Sequence, residues 1–68
     1  MGSHLKFYEE GEVIFNQGEV SDCAFVIEHG KVDIFIEDET LDTLINGDLF
    51  GEMGVLDQKP RSTSARAA

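Results

Sequence analysis

The sequence is poor in the devices that small proteins use to hold themselves together. Its 68 residues contain one cysteine, one proline and no tryptophan. A lone cysteine excludes an internal disulfide and fits a reducing compartment, so the expected location is cytoplasmic. Cys23 lies in the apolar run Cys23-Ala24-Phe25-Val26-Ile27 with no neighbouring base, which predicts a buried thiol. Basic residues are scarce too: five against fourteen acidic ones give a net charge of −9, which argues against direct contact with nucleic acid. No apolar run approaches the ~20 residues of a membrane span, and no signal-peptide pattern is present, so no membrane contact is expected. Histidine is confined to His4 and His29. Met1-Gly2-Ser3-His4 reads as an expression-tag remnant. His29 alone cannot build the several-histidine metal centre of barrel-type metalloenzymes, and no nucleophile, base and orienting group share a plausible spacing. The sequence therefore predicts no metal, no cofactor and no enzyme.

What is present is an ordinary apolar fraction of 41% and an uneven distribution of charge. Every acidic residue lies at or before Asp57, whereas Lys59, Arg61 and Arg66 follow it. A chain that repels anions overall needs a local positive site to bind one, and the segment around Arg61 has the residues for it. Just before it runs Phe50-Gly51-Glu52-Met53-Gly54-Val55-Leu56, which sets one carboxylate between glycines. Arg61, nine residues after Glu52, is followed by Ser62, Thr63 and Ser64. A carboxylate accepts from a sugar hydroxyl, a guanidinium grips a phosphate as a fork, and exposed backbone N–H groups close around the anion. The combination suits a ribose cyclic phosphate.

The remaining pattern is strand and turn. Val13-Ile14-Phe15 is a short strand ended by Asn16-Gln17-Gly18. Residues 23–28 form a continuous apolar run that predicts a strand covered on both faces. Glu28-His29-Gly30-Lys31 reads as a tight turn joining this run to residues 31–37 in a hairpin. Within 31–37, Val32, Ile34 and Ile36 alternate with Asp33, Phe35 and Glu37. A turn at 37–40 leads into residues 41–45, with Leu41, Thr43 and Ile45 on one face, and Asn46-Gly47-Asp48 makes a third turn. One helical turn is expected over 51–56 and a last strand over 62–67. Short, evenly spaced strands predict a mainly β fold, an antiparallel barrel or jelly roll. The final strand ends without a capping element, so the chain is expected to be part of a larger domain or to pair with another copy, as a homodimer or strand-swapped oligomer.

These residues resemble the cyclic nucleotide-binding domain family, of the catabolite activator protein and cyclic-AMP-dependent protein kinase regulatory subunit type. The resemblance runs through Val13-Ile14-Phe15-Asn16-Gln17-Gly18-Glu19 and Gly30, then through Phe50 to Val55 and Pro60 to Ala65, which resembles the family's phosphate-binding cassette. It implies a double-stranded β-helix barrel with a short helix in the cassette, and a regulatory domain that binds cyclic AMP or cyclic GMP. Carried onto this sequence, Glu52 would accept from the ribose 2′-hydroxyl with help from Gly51, and Arg61 would pair with the cyclic phosphate. Backbone N–H groups around Met53 and Gly54 and at Ser62 would complete the anion site. Ser62 could also reach a guanine amino group. Ile34 and Leu41 are implied as walls of the base pocket. Thr63 stands where the family usually has alanine, and Ser21 where it has a smaller residue or cysteine. The resemblance further implies that residues 5–68 are a partial domain lacking a C-terminal strand and helices, with an effector domain elsewhere. The alternative is a ligand-free interaction module of the same fold.

Overall fold

A computed structural model of the chain describes residues 5–20, 23–52 and 59–68. Among the described residues six strands follow one another: β1 (Val13–Phe15), β2 (Phe25–Val26), β3 (Val32–Ile36), β4 (Glu39–Leu44), β5 (Leu49–Phe50) and β6 (Ser64–Ala67). They pair antiparallel in two sheets, one ordered β1-β6-β3-β4 and the other β2-β5. The expected mainly β architecture is what the described residues adopt. The helical turn expected over 51–56 falls mostly outside the described residues.

The sheets meet on apolar side chains that alternate along the strands. Phe15, Val32 and Ala65 come from the larger sheet, Phe50 from the smaller, and Ile27 from the segment after β2; all five are buried. Ile14, Phe25, Ile34 and Leu44 pack against them. Three rings hold the centre: Phe25 stacks on Phe50 with centroids 5.1 Å apart, and Phe15 lies 5.9 Å from Phe25 and 6.0 Å from Phe50. Ala65 has no exposed surface and is paired with Phe15 on one side and Ile34 on the other. At that crossing a larger side chain would overpack the core, a change that costs about 1–3 kcal/mol.

The strand pairing corrects part of the sequence reading. Residues 23–28 and 31–37 do not form a hairpin: β2 pairs with β5 through Phe25↔Phe50 and Val26↔Leu49, whereas β3 pairs with β4 and β6. Gly30 does turn the chain, with φ of 103°, but the turn carries it from one sheet to the other, and the Gly30 N–H donates to Asn46 Oδ1 at 2.7 Å. The real hairpin is β3–β4, closed by Glu37 and Asp38, with Glu37 held at φ of 54°. In this hairpin Ile34 pairs with Asp42 and Phe35 with Thr40, so Leu41 is bulged out. The 41–45 face is accordingly outward, with Leu41 and Ile45 exposed and Leu44 turned inward.

The 23–28 run is not a strand covered on both faces either. Only Phe25 and Val26 are extended partners of another strand, and Val26 is 61% exposed. Cys23 is exposed, against the expectation of a buried thiol, because it precedes the two paired residues. The last strand begins at Ser64, two residues later than the sequence suggests. The other turns stand where expected: Gly18 and Gly47 take positive φ, and Asp48 closes its turn by accepting from the Ile45 N–H at 2.9 Å.

Candidate functional site

Arg61 is delivered to the interior by its own backbone. Its N–H donates to the Glu19 carbonyl at 2.7 Å, its carbonyl accepts from Gly18 N–H at 2.9 Å, and Pro60 bridges to Val20. The turn after β1 therefore fixes the residue just ahead of β6, and the side chain runs inward until it is 7% exposed.

The guanidinium lies against Phe15, its Cζ 4.0 Å from the ring centroid, with Phe25 at 5.9 Å. In its plane, Nη1 donates to the Gly51 carbonyl at 2.6 Å and Nη2 to the Cys23 carbonyl at 2.9 Å. Three segments are thus tied by one side chain: the approach to β2, the end of β5 and the approach to β6. Both acceptors are neutral, and among the described residues no carboxylate pairs with this buried cation. Burying a charge is expensive unless it is matched, so the arrangement is electrostatically set for an anion.

Gly51 is required at its place twice over. Its φ of 76° is a left-handed conformation, and a Cβ there would lie 2.8 Å from Arg61 Nη1, 3.2 Å from Phe15 and 3.3 Å from Phe25. The missing side chain lets the guanidinium approach the backbone. Glu52 follows immediately and is exposed. Ser62 is exposed and Thr63 half-buried, while Ser64 is buried and accepts from the Gln17 N–H at 2.8 Å. Ile34 packs against the core and Leu41 sits on the bulge of β4, 49% exposed. Met53 and Gly54 lie outside the described residues. A cleft of about 430 Å³ opens beside Arg61, lined in part by Lys6, Tyr8, Glu19 and Cys23.

Of the residues singled out in the sequence, the structure brings Arg61 and Gly51 into direct contact and places Glu52 next in chain. Sequence reasoning missed Phe15 and the Cys23 carbonyl. Phe15 reads as a plain core residue, and a backbone acceptor leaves no mark on residue type. Among the described residues no group of three or more His, Cys, Asp or Glu side chains could hold a metal ion, and no helix is long and apolar enough to cross a membrane.

Comparison with known proteins agrees with this fold. The family model for the cyclic nucleotide-binding domain matches residues 5–68. The chain is 37% identical over 62 residues to the cAMP-dependent protein kinase regulatory subunit of Emericella nidulans, covering 88% of this chain and 15% of the relative. The crystal structure of Thermus thermophilus catabolite activator protein superposes with a TM-score of 0.82 at 37% identity, covering 91% of this chain and 32% of that one. The EAL enzyme Bd1971 superposes in its cAMP-bound form with a TM-score of 0.78 at 38% identity, over 90% of this chain and 17% of that one. Its cGMP-bound form gives 0.79 at 39%, over 85% and 17%. The chain spans less than a third of each of these proteins. With its buried arginine, its glycine cradle and its strand order in place, the chain belongs to the cyclic nucleotide-binding domain family.

Proposed function

We propose that this chain binds cyclic AMP or cyclic GMP by its ribose 2′-hydroxyl and cyclic phosphate, and serves as the sensing part of a larger regulatory protein. The observation that carries this reading is Arg61: a buried guanidinium held by two neutral carbonyls and a ring face, with no carboxylate partner among the described residues. A cyclic phosphate supplies the missing charge and accepts in-plane N–H bonds. Glu52, exposed one residue after the Gly51 that touches Arg61, takes the ribose hydroxyl, and backbone N–H groups near Met53, Gly54 and Ser62 complete the anion site. A hydroxyl at Ser62 can also serve a guanine amino group, so the proposal covers both bases. Contacts of this kind hold the ligand without activating water, which suits sensing rather than turnover. Calorimetric titration with cyclic AMP and its 2′-deoxy analogue tests the reading. Binding is expected with the ribose form favoured; equal affinity for the two would remove Glu52 from this role.

The exposed apolar surface favours a second element of the proposal. Phe7 is 86% exposed, Leu5 62% and Val26 61%, and a single groove is lined by all three. An apolar groove beside a two-residue strand invites pairing. Residues 5–68 are then a partial domain that self-associates, as a homodimer or strand-swapped oligomer, unless further strand and helix cover the groove. Light scattering at tens of micromolar should show a dimer or larger species, and a monodisperse monomer would refute it.

A further inference from the structure

The geometry points to Phe15 as the residue that positions the arginine for the anion, an inference that rests on the phosphate role proposed for Arg61. A guanidinium is planar and its five N–H bonds lie in that plane, so a ring stacked on its face blocks none of them and forbids rotation out of plane. Phe15 places its ring beneath the guanidinium carbon, which lies over it at 4.0 Å from the centroid, and Phe15 is itself fixed from three directions. Its backbone pairs with Ala65, its ring packs near Phe25 and Phe50, and it is 7% exposed. The carbonyls of Gly51 and Cys23 then set the rotation of the guanidinium within its plane.

Among the described residues these two carbonyls take two of the five N–H groups. The plane stays populated by donors, and its orientation is decided before any ligand arrives. Arg61 needs no search among rotamers, and preorganisation of this kind converts directly into affinity. Gly51 belongs to the same device, since any side chain there would enter the space between Arg61 Nη1 and the Phe15 ring edge.

The inference predicts that Phe15→Leu, which keeps an apolar group but removes the π face, weakens cyclic AMP binding by roughly two- to thirty-fold. The test is a double-mutant cycle with Arg61→Gln, read by calorimetry, together with proton NMR of the Arg61 side chain in the unliganded native chain. If Phe15 acts through Arg61, the loss caused by Phe15→Leu disappears in the Arg61→Gln background, and the native Arg61 δ and ε protons show an upfield ring-current shift. A Phe15→Leu loss of the same size in both backgrounds assigns the ring to the core alone and overturns the proposal, as does the absence of a ring-current shift. The shift is measured on the native chain, so it decides the matter even where the variants fold poorly or bind below detection. Native-like binding by Arg61→Gln is a separate failure, which removes the phosphate role itself and this inference with it.

Discussion

Two arginines stand five positions apart in this chain and have almost opposite surroundings. Arg66, on β6, lies over the Phe35 ring at 4.2 Å and reaches Asp33 Oδ2 at 3.8 Å, with that pair 35% and 22% exposed. Arg61, just before β6, also lies over a phenylalanine, but it is buried and its described acceptors are carbonyls. The aromatic contact is common to both and so distinguishes nothing. What differs is the counter-charge: Arg66 has a carboxylate, itself accepting from the Thr43 hydroxyl at 2.8 Å, and sits in partial water. Arg66 is thereby satisfied by a carboxylate, and Arg61 is held in position with only neutral acceptors among the described residues. Within one strand approach the chain uses the same residue type once on the surface and once in the interior, at the candidate site.

The largest effect expected from breaking this contrast is Arg61→Ala. Truncating one side of a buried charge pair costs about 2–5 kcal/mol, so cyclic AMP affinity should fall by roughly thirty-fold or more. From the sequence alone the fold is expected to stay largely intact. The burial of Arg61 and its ties to Gly51 and Cys23 imply an additional loss of about 1–3 kcal/mol in stability, measurable by urea titration. Gly51→Ala comes next: a non-glycine residue in the left-handed region costs about 1–2 kcal/mol, and the added Cβ displaces the guanidinium. Thermal unfolding and calorimetry should both register it, and an unchanged affinity would show that the guanidinium tolerates the shift.

Ser64→Ala sharpens the comparison from the side of the scaffold. It orphans the Gln17 N–H, for about 1 kcal/mol of stability, and should leave affinity near native because the hydroxyl faces the β1 turn. Smallest is Asp33→Asn, which cuts the counter-charge of Arg66. Partly exposed pairs contribute about 0.2–1 kcal/mol, and nucleotide affinity should not move. An affinity loss from Asp33→Asn exceeding that from Gly51→Ala would invert the proposed roles of the two arginines.

Much of this was legible in the residues. The turns at Gly18, Gly30 and Gly47 announce themselves because only glycine takes positive φ without strain. The β1 and β3 strands show through their β-branched runs, and the spacing of Gly51 and Arg61 points to the pair that the structure brings into contact in the candidate site. Pairing was less legible. The 28–31 turn resembles a hairpin locally, yet sheet membership depends on which distant strand buries the shared apolar face, and Phe25 finds Phe50 rather than β3. The true hairpin turns on Glu37 and Asp38, inside the turn expected at 37–40, but the pair carries neither glycine nor asparagine to mark it as the tighter of the candidate hairpin turns. Cys23 was misread for a related reason: composition reports that a run is apolar, not where its paired portion begins. The neutral partners of Arg61 are backbone atoms, which no residue type discloses.

The placement of β6 has a consequence for how the chain reaches this state. β6 lies between β1 and β3, and its register joins Val13 to Arg66, more than fifty residues apart in sequence. The larger sheet cannot be assembled by zipping neighbours. β3 and β4 can close early as a local hairpin, but the partner of β1 among the described residues is a segment about fifty residues downstream, which must insert beside it. Such long-range closure is paid in chain entropy before it is repaid in contacts, and it slows folding. Arg61 arrives with that inserting segment, so formation of the anion site and completion of the sheet should share a single kinetic step, the slowest one, and a partly folded chain would have neither.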